Sequence, residues 1–213
     1  MTKKNLKAYI VSLGVDNAEE KAEKLWSYTD EIMLFNPSLK LVGSTDRDEI
    51  LMRHILDCAS AYPVFLSETK NGDSIADLGS GAGLPGIVLS ILLPDREFYL
   101  IERMTRRVGF LRSTAAVLKL GNIHIIDRDI SDVKERYSLL TCRAFHPIAD
   151  IAEHASLLSG NAVFYKGMAD NVKRELDTLR SDGWRFEERT VSVTVPGLGE
   201  ERNLVVLRKW EKE

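Results

Sequence analysis

Asp77-Leu-Gly-Ser-Gly-Ala-Gly-Leu-Pro-Gly86, entered from Ser74-Ile-Ala76, is the stretch that decides how this chain is read. A short apolar run leads into an acid, four closely spaced glycines follow, and a proline stands where an apolar helix can begin. Glycine lets the backbone turn tightly and approach a ligand with no Cβ in the way. Proline suits a first helical turn, where its missing N–H would lack a partner anyway. The stretch predicts the first strand–loop–helix of an α/β sheet that binds a nucleotide or nucleoside.

Two ligand classes use such a loop. Gly81-x-Gly83-x-x-Gly86 matches the dinucleotide fingerprint letter for letter, which alone is weak evidence. Asp77 argues for the other class. A carboxylate about 5 Å from a pyrophosphate charge costs roughly 3 kcal/mol at an effective dielectric near 20. The same carboxylate favours the ammonium end of S-adenosylmethionine, which carries no phosphate. A glycine turn with no ligand is the bland alternative.

Length and composition bound the rest. A chain of 213 residues suits one domain with room for a small appendage, and 44% hydrophobic with 29% charged residues supports a sizeable core. The longest strongly apolar run, Ile87 to Leu93, is far too short to span a bilayer. Met1-Thr-Lys-Lys leads into a mixed segment and not an apolar signal core. Cys58 and Cys142 stand far apart, without zinc spacing, so no metal and a reducing, cytoplasmic setting are expected. Net charge of −3 argues against a non-specific nucleic-acid coat protein. A local basic face remains open at Arg103, Arg106, Arg107 and Arg112, whose alternative is a solvated helix surface.

Residues 1–65 read as a helical extension, and 66–213 as the ligand-binding domain, together one compact unit. Asp16 or Asn17 can cap a helix carrying Ala22, Leu25, Trp26, Thr29 and Met33 at helical spacing, with Pro37 as its end. Ser44-Thr45-Asp46 caps a second helix that carries Ile50, Leu51, Ile55, Leu56 and Ala59, with Pro63 as its stop. From Ser74 onward, candidate strands at 74–78, 97–101, 123–126, 138–143 and 161–165 alternate with helices at 85–93, 104–119, 147–158 and 169–182, Gly121 closing the second of these. Such alternation predicts a doubly wound parallel sheet. Trp184–Val195 and Leu204–Leu207 have no helix between them and are expected to pair antiparallel.

Ligands of these sheets sit beyond the carboxyl ends of the strands. Glu102 ends the second strand, 23 residues after Gly79, where an acid can accept from both ribose hydroxyls of an adenosine. Its alternative is a surface acid paired with Arg103 or Arg106. Asp129-Ile130-Ser131 follows the third strand, where an adenine would be clamped. Arg143 leaves the fourth and could hold a cofactor carboxylate or a substrate base. Lys166, at the fifth, faces the site mouth. Arg53 could meet a phosphate or pair with Asp57, and His54 reads as a structural hydrogen-bonder more than a substrate contact. Trp26, Trp184 and Trp210 read as packing residues.

Arg53-His-Ile-Leu-Asp57, the Asp77–Gly86 loop, Arg106-Arg-Val-Gly-Phe-Leu-Arg112, Cys142-Arg-Ala-Phe145, Tyr165-Lys-Gly167 and Val195-Pro-Gly-Leu-Gly-Glu-Glu-Arg-Asn-Leu204 occur in that order. The set resembles the glucose-inhibited division protein B family, small-subunit (16S) ribosomal RNA methyltransferases that make 7-methylguanosine, over about residues 34–207. The resemblance implies a Rossmann-like class I methyltransferase fold and S-adenosyl-L-methionine as cofactor, with contacts at Gly79, Leu84, Ile130, Ser131 and Arg143. Asp77, Gly81 and Glu102 join them from the reading above. It also implies small-subunit ribosomal RNA, or a ribosomal particle, as substrate, for which Arg53, Arg106, Arg107 and Lys166 are the candidate contacts from the reading of the residues themselves. Cys142 stands where the family usually has Ser, and Lys40-Leu-Val42 where it usually has Asn-Leu-Thr.

The chemistry fits what the chain lacks. It has no Asn/Asp-Pro-Pro-aromatic motif for amino-group methylation and no Pro-Cys nucleophile, and Cys142 reads as a small buried strand residue. Guanine N7 needs neither device, because its lone pair lies free in the ring plane. Catalysis can then be mostly positioning.

Overall fold

The computed structural model describes residues 1–143 and 146–212; Ala144 and Phe145, which close the Cys142–Phe145 motif, and the terminal Glu213 lie outside that range. Four helical stretches come first: α1 (Lys3–Ser12), α2 (Ala18–Leu39), α3 (Arg47–Ile50) continuing through a π-helical turn (Leu51–Leu56) into α4 (Asp57–Ala59), and α5 (Tyr62–Glu68). The sheet region follows as β1 (Ser74–Leu78), α6 (Gly86–Leu92), β2 (Glu97–Glu102), α7 (Thr105–Val117), β3 (Ile123–Asp127), β4 (Leu139–Arg143), α8 (Ile148–Leu158), β5 (Asn161–Lys166), α9 (Ala169–Ser181), β6 (Trp184–Val193) and β7 (Arg202–Lys212).

The strands form one seven-stranded sheet in the order β3-β2-β1-β4-β5-β7-β6. The first five pair in parallel, and β7 runs antiparallel to both β5 and β6. The order reverses at β1, with β2 on one side and β4 on the other, so a crevice opens at the carboxyl end of β1. This is the expected doubly wound sheet with an antiparallel C-terminal hairpin.

Side-chain alternation divides the core between the two faces of the sheet. Ile75, Val163, Tyr165, Leu204 and Val206 pack with α2, the π turn, α5 and α6 on one face. Ala76, Leu78, Ala162, Phe164, Val205 and Leu207 pack with α8 and α9 on the other. The N-terminal helices therefore cover a face that the strand–helix units alone would leave wet. Ala22, Leu25, Tyr28, Thr29, Ile32 and Asn36 form the buried stripe of α2. Trp184 and Trp210 are buried in the second cluster, and Trp210 donates its indole N–H to the Ser159 carbonyl at 2.7 Å.

Three helix ends depart from the sequence reading. α2 runs through Pro37 to Leu39, because a proline one turn from the end forgoes a single hydrogen bond. Lys40 ends it instead, in the left-handed region at φ 51°, its N–H on the Asn36 carbonyl at 2.9 Å. Asn36 itself holds the next loop, accepting from Val42 N–H at 2.9 Å and donating to Ser44 O at 2.7 Å. Pro63 opens α5 and does not stop the helix before it. Lys119, at φ 52°, and not Gly121, takes the left-handed turn after α7.

Leu25 is fully buried where α2 meets the shared core. Leu25→Ala is expected to cost about 2–5 kcal/mol of unfolding free energy, measured by urea titration. A loss below about 1 kcal/mol would mean that α2 does not hold this core.

Candidate functional site

β1 carries the chain to the sheet's carboxyl edge, where it turns through Gly79, Gly81 and Gly83 at φ of 67°, 57° and 85°. Residues with a Cβ enter that region at a cost. Packing presses the same way: a Cβ at Gly83 would run into Ile87, and one at Gly86 into Leu100 and the Asp77 carboxyl. Leu84 is buried, and Pro85 sits just before α6 as its N-cap. Tyr28 of α2, fully buried, donates its hydroxyl to the Ala82 carbonyl at 2.6 Å, so the extension braces the loop from outside. Sequence alone hid this contact, because a tyrosine on a buried helical stripe reads as core.

Asp77 lies beneath the loop and not on the cavity wall, with 1% of its surface exposed. Its Oδ2 accepts from Gly86 N–H at 2.9 Å, while Oδ1 is buried with no partner among the described residues. Burial lifts its carboxyl to about 7, against the lowering pull of the Gly86 and Ser80 hydrogen bonds.

A cavity of about 450 Å³ opens over β1 and β2, walled by Gly79, Glu102, Met104, Arg107, Asp129 and Ile130 among others. Glu102 is buried, not a surface acid; Oε2 accepts from Gly81 N–H at 2.9 Å and Oε1 from Met104 N–H at 2.8 Å. Each oxygen keeps a lone pair for another donor. Arg107 Nη1 lies 3.9 Å from Oε2. Ser131 points elsewhere: its N–H and hydroxyl both bond Asp129 Oδ1, at 3.1 and 3.0 Å, in the short 3₁₀ turn.

A second cavity of about 440 Å³ opens over β4 and β5, sharing the wall residue His146 with the first. Asp57, nearly fully buried, is its structural centre. Arg143 Nη1 donates to Asp57 Oδ2 and Arg202 Nε to Oδ1, both at 3.1 Å. Arg143 Nη2 lies 3.2 Å from His54 Nδ1, so His54 is the structural hydrogen-bonder expected and accepts there. Lys166 Nζ pairs with Glu175 at 2.6 Å. Arg143 thus faces the second cavity and not the first. Arg53 pairs with Glu200 at 2.6 Å and Glu49 at 3.3 Å, and not with Asp57, because the π turn swings it outward. Arg202 and Glu175 escaped notice in the sequence, although Arg202 sits in the Val195–Leu204 motif.

The arginine cluster divides. Arg103 pairs with Asp129 at 2.9 Å and Arg112 lies 3.7 Å from Asp127. Arg107 turns into the first cavity. Arg106 is exposed, with no ion pair among the described residues. Cys142 is buried in the core, as read. Among the described residues, no group of three His, Cys, Asp or Glu could hold a metal, and no helix is long and apolar enough to cross a membrane.

The family model for GidB, "rRNA small subunit methyltransferase G", matches residues 21–205. Ribosomal RNA small subunit methyltransferase G of Borrelia hermsii is 34% identical over 205 residues, covering 93% of this chain and 95% of that protein. The protein of the same description from Treponema denticola is 32% identical, over 92% of this chain and 91% of its own length. Among solved structures, magnesium protoporphyrin IX methyltransferase from Synechocystis with bound SAM superposes at TM-score 0.59 and 15% identity, covering 85% of this chain and 97% of that one. M. jannaschii TYW2 in complex with AdoMet superposes at 0.52 and 15%, covering 74% of each chain. These two share the fold.

Asp77 and His54 titrate in opposite senses. Burial, helped by the Arg143 charge, lowers His54 from 6.5 to about 4, so stability is lost as pH falls through that window. Asp77, raised from 3.8 to about 7, makes stability fall as pH rises. Between about 4 and 6.5 the two oppose each other. The melting temperature of Asp77→Asn relative to the unaltered protein is expected to climb from pH 4 to 7, and that of His54→Gln to drop from pH 4 to 6.5. Curves parallel to the unaltered protein's would contradict both assignments.

Proposed function

The chain belongs to the rRNA small subunit methyltransferase G family, and from that premise we propose that it moves a methyl group from S-adenosyl-L-methionine to N7 of a guanosine in small-subunit ribosomal RNA. One observation carries the cofactor half: buried Glu102, both oxygens braced by backbone N–H groups, with a lone pair of each left for a ribose hydroxyl. The orphaned Asp77 Oδ1 beneath the loop adds a second buried carboxyl. Glu102 suits an adenosine ribose of either ligand class, and the methyltransferase relatives favour phosphate-free S-adenosylmethionine over a dinucleotide.

Bound there, S-adenosylmethionine supplies an electrophilic methyl on a sulfonium. Glu102 would hold the ribose, Gly79 and Gly81 would admit the ligand close to their backbone, and Ile130 would pack on the base with Leu84 and Ser131 shaping the loops behind. Asp77 would hold the loop's shape from beneath, through the Gly86 N–H. The second cavity would take the guanine, with Arg143 held in its wall by Asp57. N7 offers its lone pair without losing a proton, so no general base is required and the protein's contribution is alignment. Arg106, Arg107, Arg53 and Lys166 are proposed on the RNA side, Arg106 as a phosphate contact. Residues 1–65 act as an extension that completes the 66–213 domain, through Tyr28 above all.

Calorimetry should show S-adenosylhomocysteine binding and NAD not; the reverse would favour a reductase. Labelled methyl should pass to small-subunit RNA or particles from cells lacking the protein. Cofactor binding without transfer to any RNA form would leave a non-catalytic module. Glu102→Ala is expected to weaken S-adenosylhomocysteine binding roughly 10- to 100-fold, and Tyr28→Phe about 2- to 10-fold, while both variants still unfold cooperatively. Unchanged affinity in Tyr28→Phe would remove the brace from the cofactor site.

A further inference from the structure

The second cavity holds one acceptor and one donor that the fold leaves unspent. Glu175 of α9 is fixed through Oε2, which accepts from Ile148 N–H at 2.9 Å and from Lys166 Nζ at 2.6 Å. Its Oε1 meets no donor among the described residues, and 24% of the side chain is exposed. Lys166 also donates to the His146 carbonyl at 3.4 Å, so one of its three N–H groups remains. Asp57, the other acid on the wall, is nearly fully buried and each of its oxygens already pairs with an arginine, so its charge is neutralised within the fold. Tyr165 and Gly167 flank the pair, and the volume of about 440 Å³ falls within the small-ligand range.

A fixed donor beside a fixed acceptor selects among bases. Guanine shows an acceptor, O6, next to two donors, N1–H and N2–H₂. Adenine reverses that order, with a donor at N6 next to an acceptor at N1. N7 lies on the adjoining edge, beside O6, and stays free when N1–H and N2–H₂ are bound. Bases extruded for chemistry are commonly read on this Watson–Crick edge. We propose that Lys166 and Glu175 read the target guanine: Glu175 Oε1 accepts from N1–H and N2–H₂, Lys166 Nζ donates to O6, and the N7 edge turns toward the first cavity. This rests on the methyl-transfer reading above and names the specificity determinant of that reaction.

Inosine lacks only the N2 amino group. Methyl transfer at limiting RNA is compared between small-subunit RNA with its methylated guanosine, located by mass mapping, and the same RNA with inosine there. The unaltered protein is expected to favour guanosine roughly 10- to 100-fold, the range of one hydrogen bond to a charged group. In Glu175→Gln the single amide oxygen is claimed by Ile148 N–H, so an NH₂ group faces the base. Its preference should fall to within about threefold, with S-adenosylhomocysteine affinity unchanged. Lys166→Met should slow both substrates alike, since both carry O6, and it keeps the test decisive should Glu175→Gln fail to fold. An unaltered protein that treats the two RNAs alike, a Glu175→Gln variant with its preference intact, or a Lys166→Met variant with full rates overturns the assignment. No transfer to guanosine RNA by the unaltered protein instead overturns the methyltransferase reading itself.

Discussion

A single buried carboxylate organises the second cavity of this molecule. Asp57 is nearly fully buried, where an unpaired charge is costly. Among the described residues its carboxylate is satisfied by Arg143 from the end of β4 and Arg202 from the start of β7. Three stretches separated by 86 and 145 residues are thereby drawn to one point. The chain of charge continues outward, from Arg202 to Glu200 and from Glu200 to Arg53 and Glu49, toward solvent where each pair is worth little. The π turn Leu51–Leu56 fits this scheme, since an extra residue in the helical turn sends Arg53 outward while His54 stays within reach of Arg143.

The first cavity depends on a comparable economy. Asp77 and Glu102 both use backbone N–H groups as partners, Gly86 for one and Gly81 with Met104 for the other. The glycine loop is thus held at both ends by acids and in the middle by Tyr28. Because Tyr28 belongs to the N-terminal helices, the loop's shape depends on the extension as well as on the sheet. His146, on the wall of both cavities, joins the two halves of the site.

Much of the fold was legible because each strand is a short apolar run bounded by turn residues, and each helix repeats its apolar positions at helical spacing. β1 through β5 fall within a residue or so of the expected spans. The misread ends share a cause: at Pro37, Pro63 and Gly121 a residue's usual role was assumed, while Lys40 and Lys119 took the left-handed turns. In the site, Glu102 was readable because a strand end plus a fixed spacing from the glycines places it. Tyr28, Arg202 and Glu175 were not, because nothing local distinguishes a bracing tyrosine from a packing one, or an inward arginine from a solvated one.

By itself, the sequence determined the doubly wound sheet, the glycine loop between β1 and α6, and the acid at the end of β2, all of which follow from periodicity and spacing within about 30 residues. Only the tertiary structure decided that Asp77 lies beneath the loop, that Arg143 faces the second cavity, and that Arg53 pairs with Glu200. The place of Arg143 is set by buried Asp57, whose desolvated carboxylate needs a cationic partner; the other two outcomes follow from where distant elements carry the backbone, which no local spacing encodes.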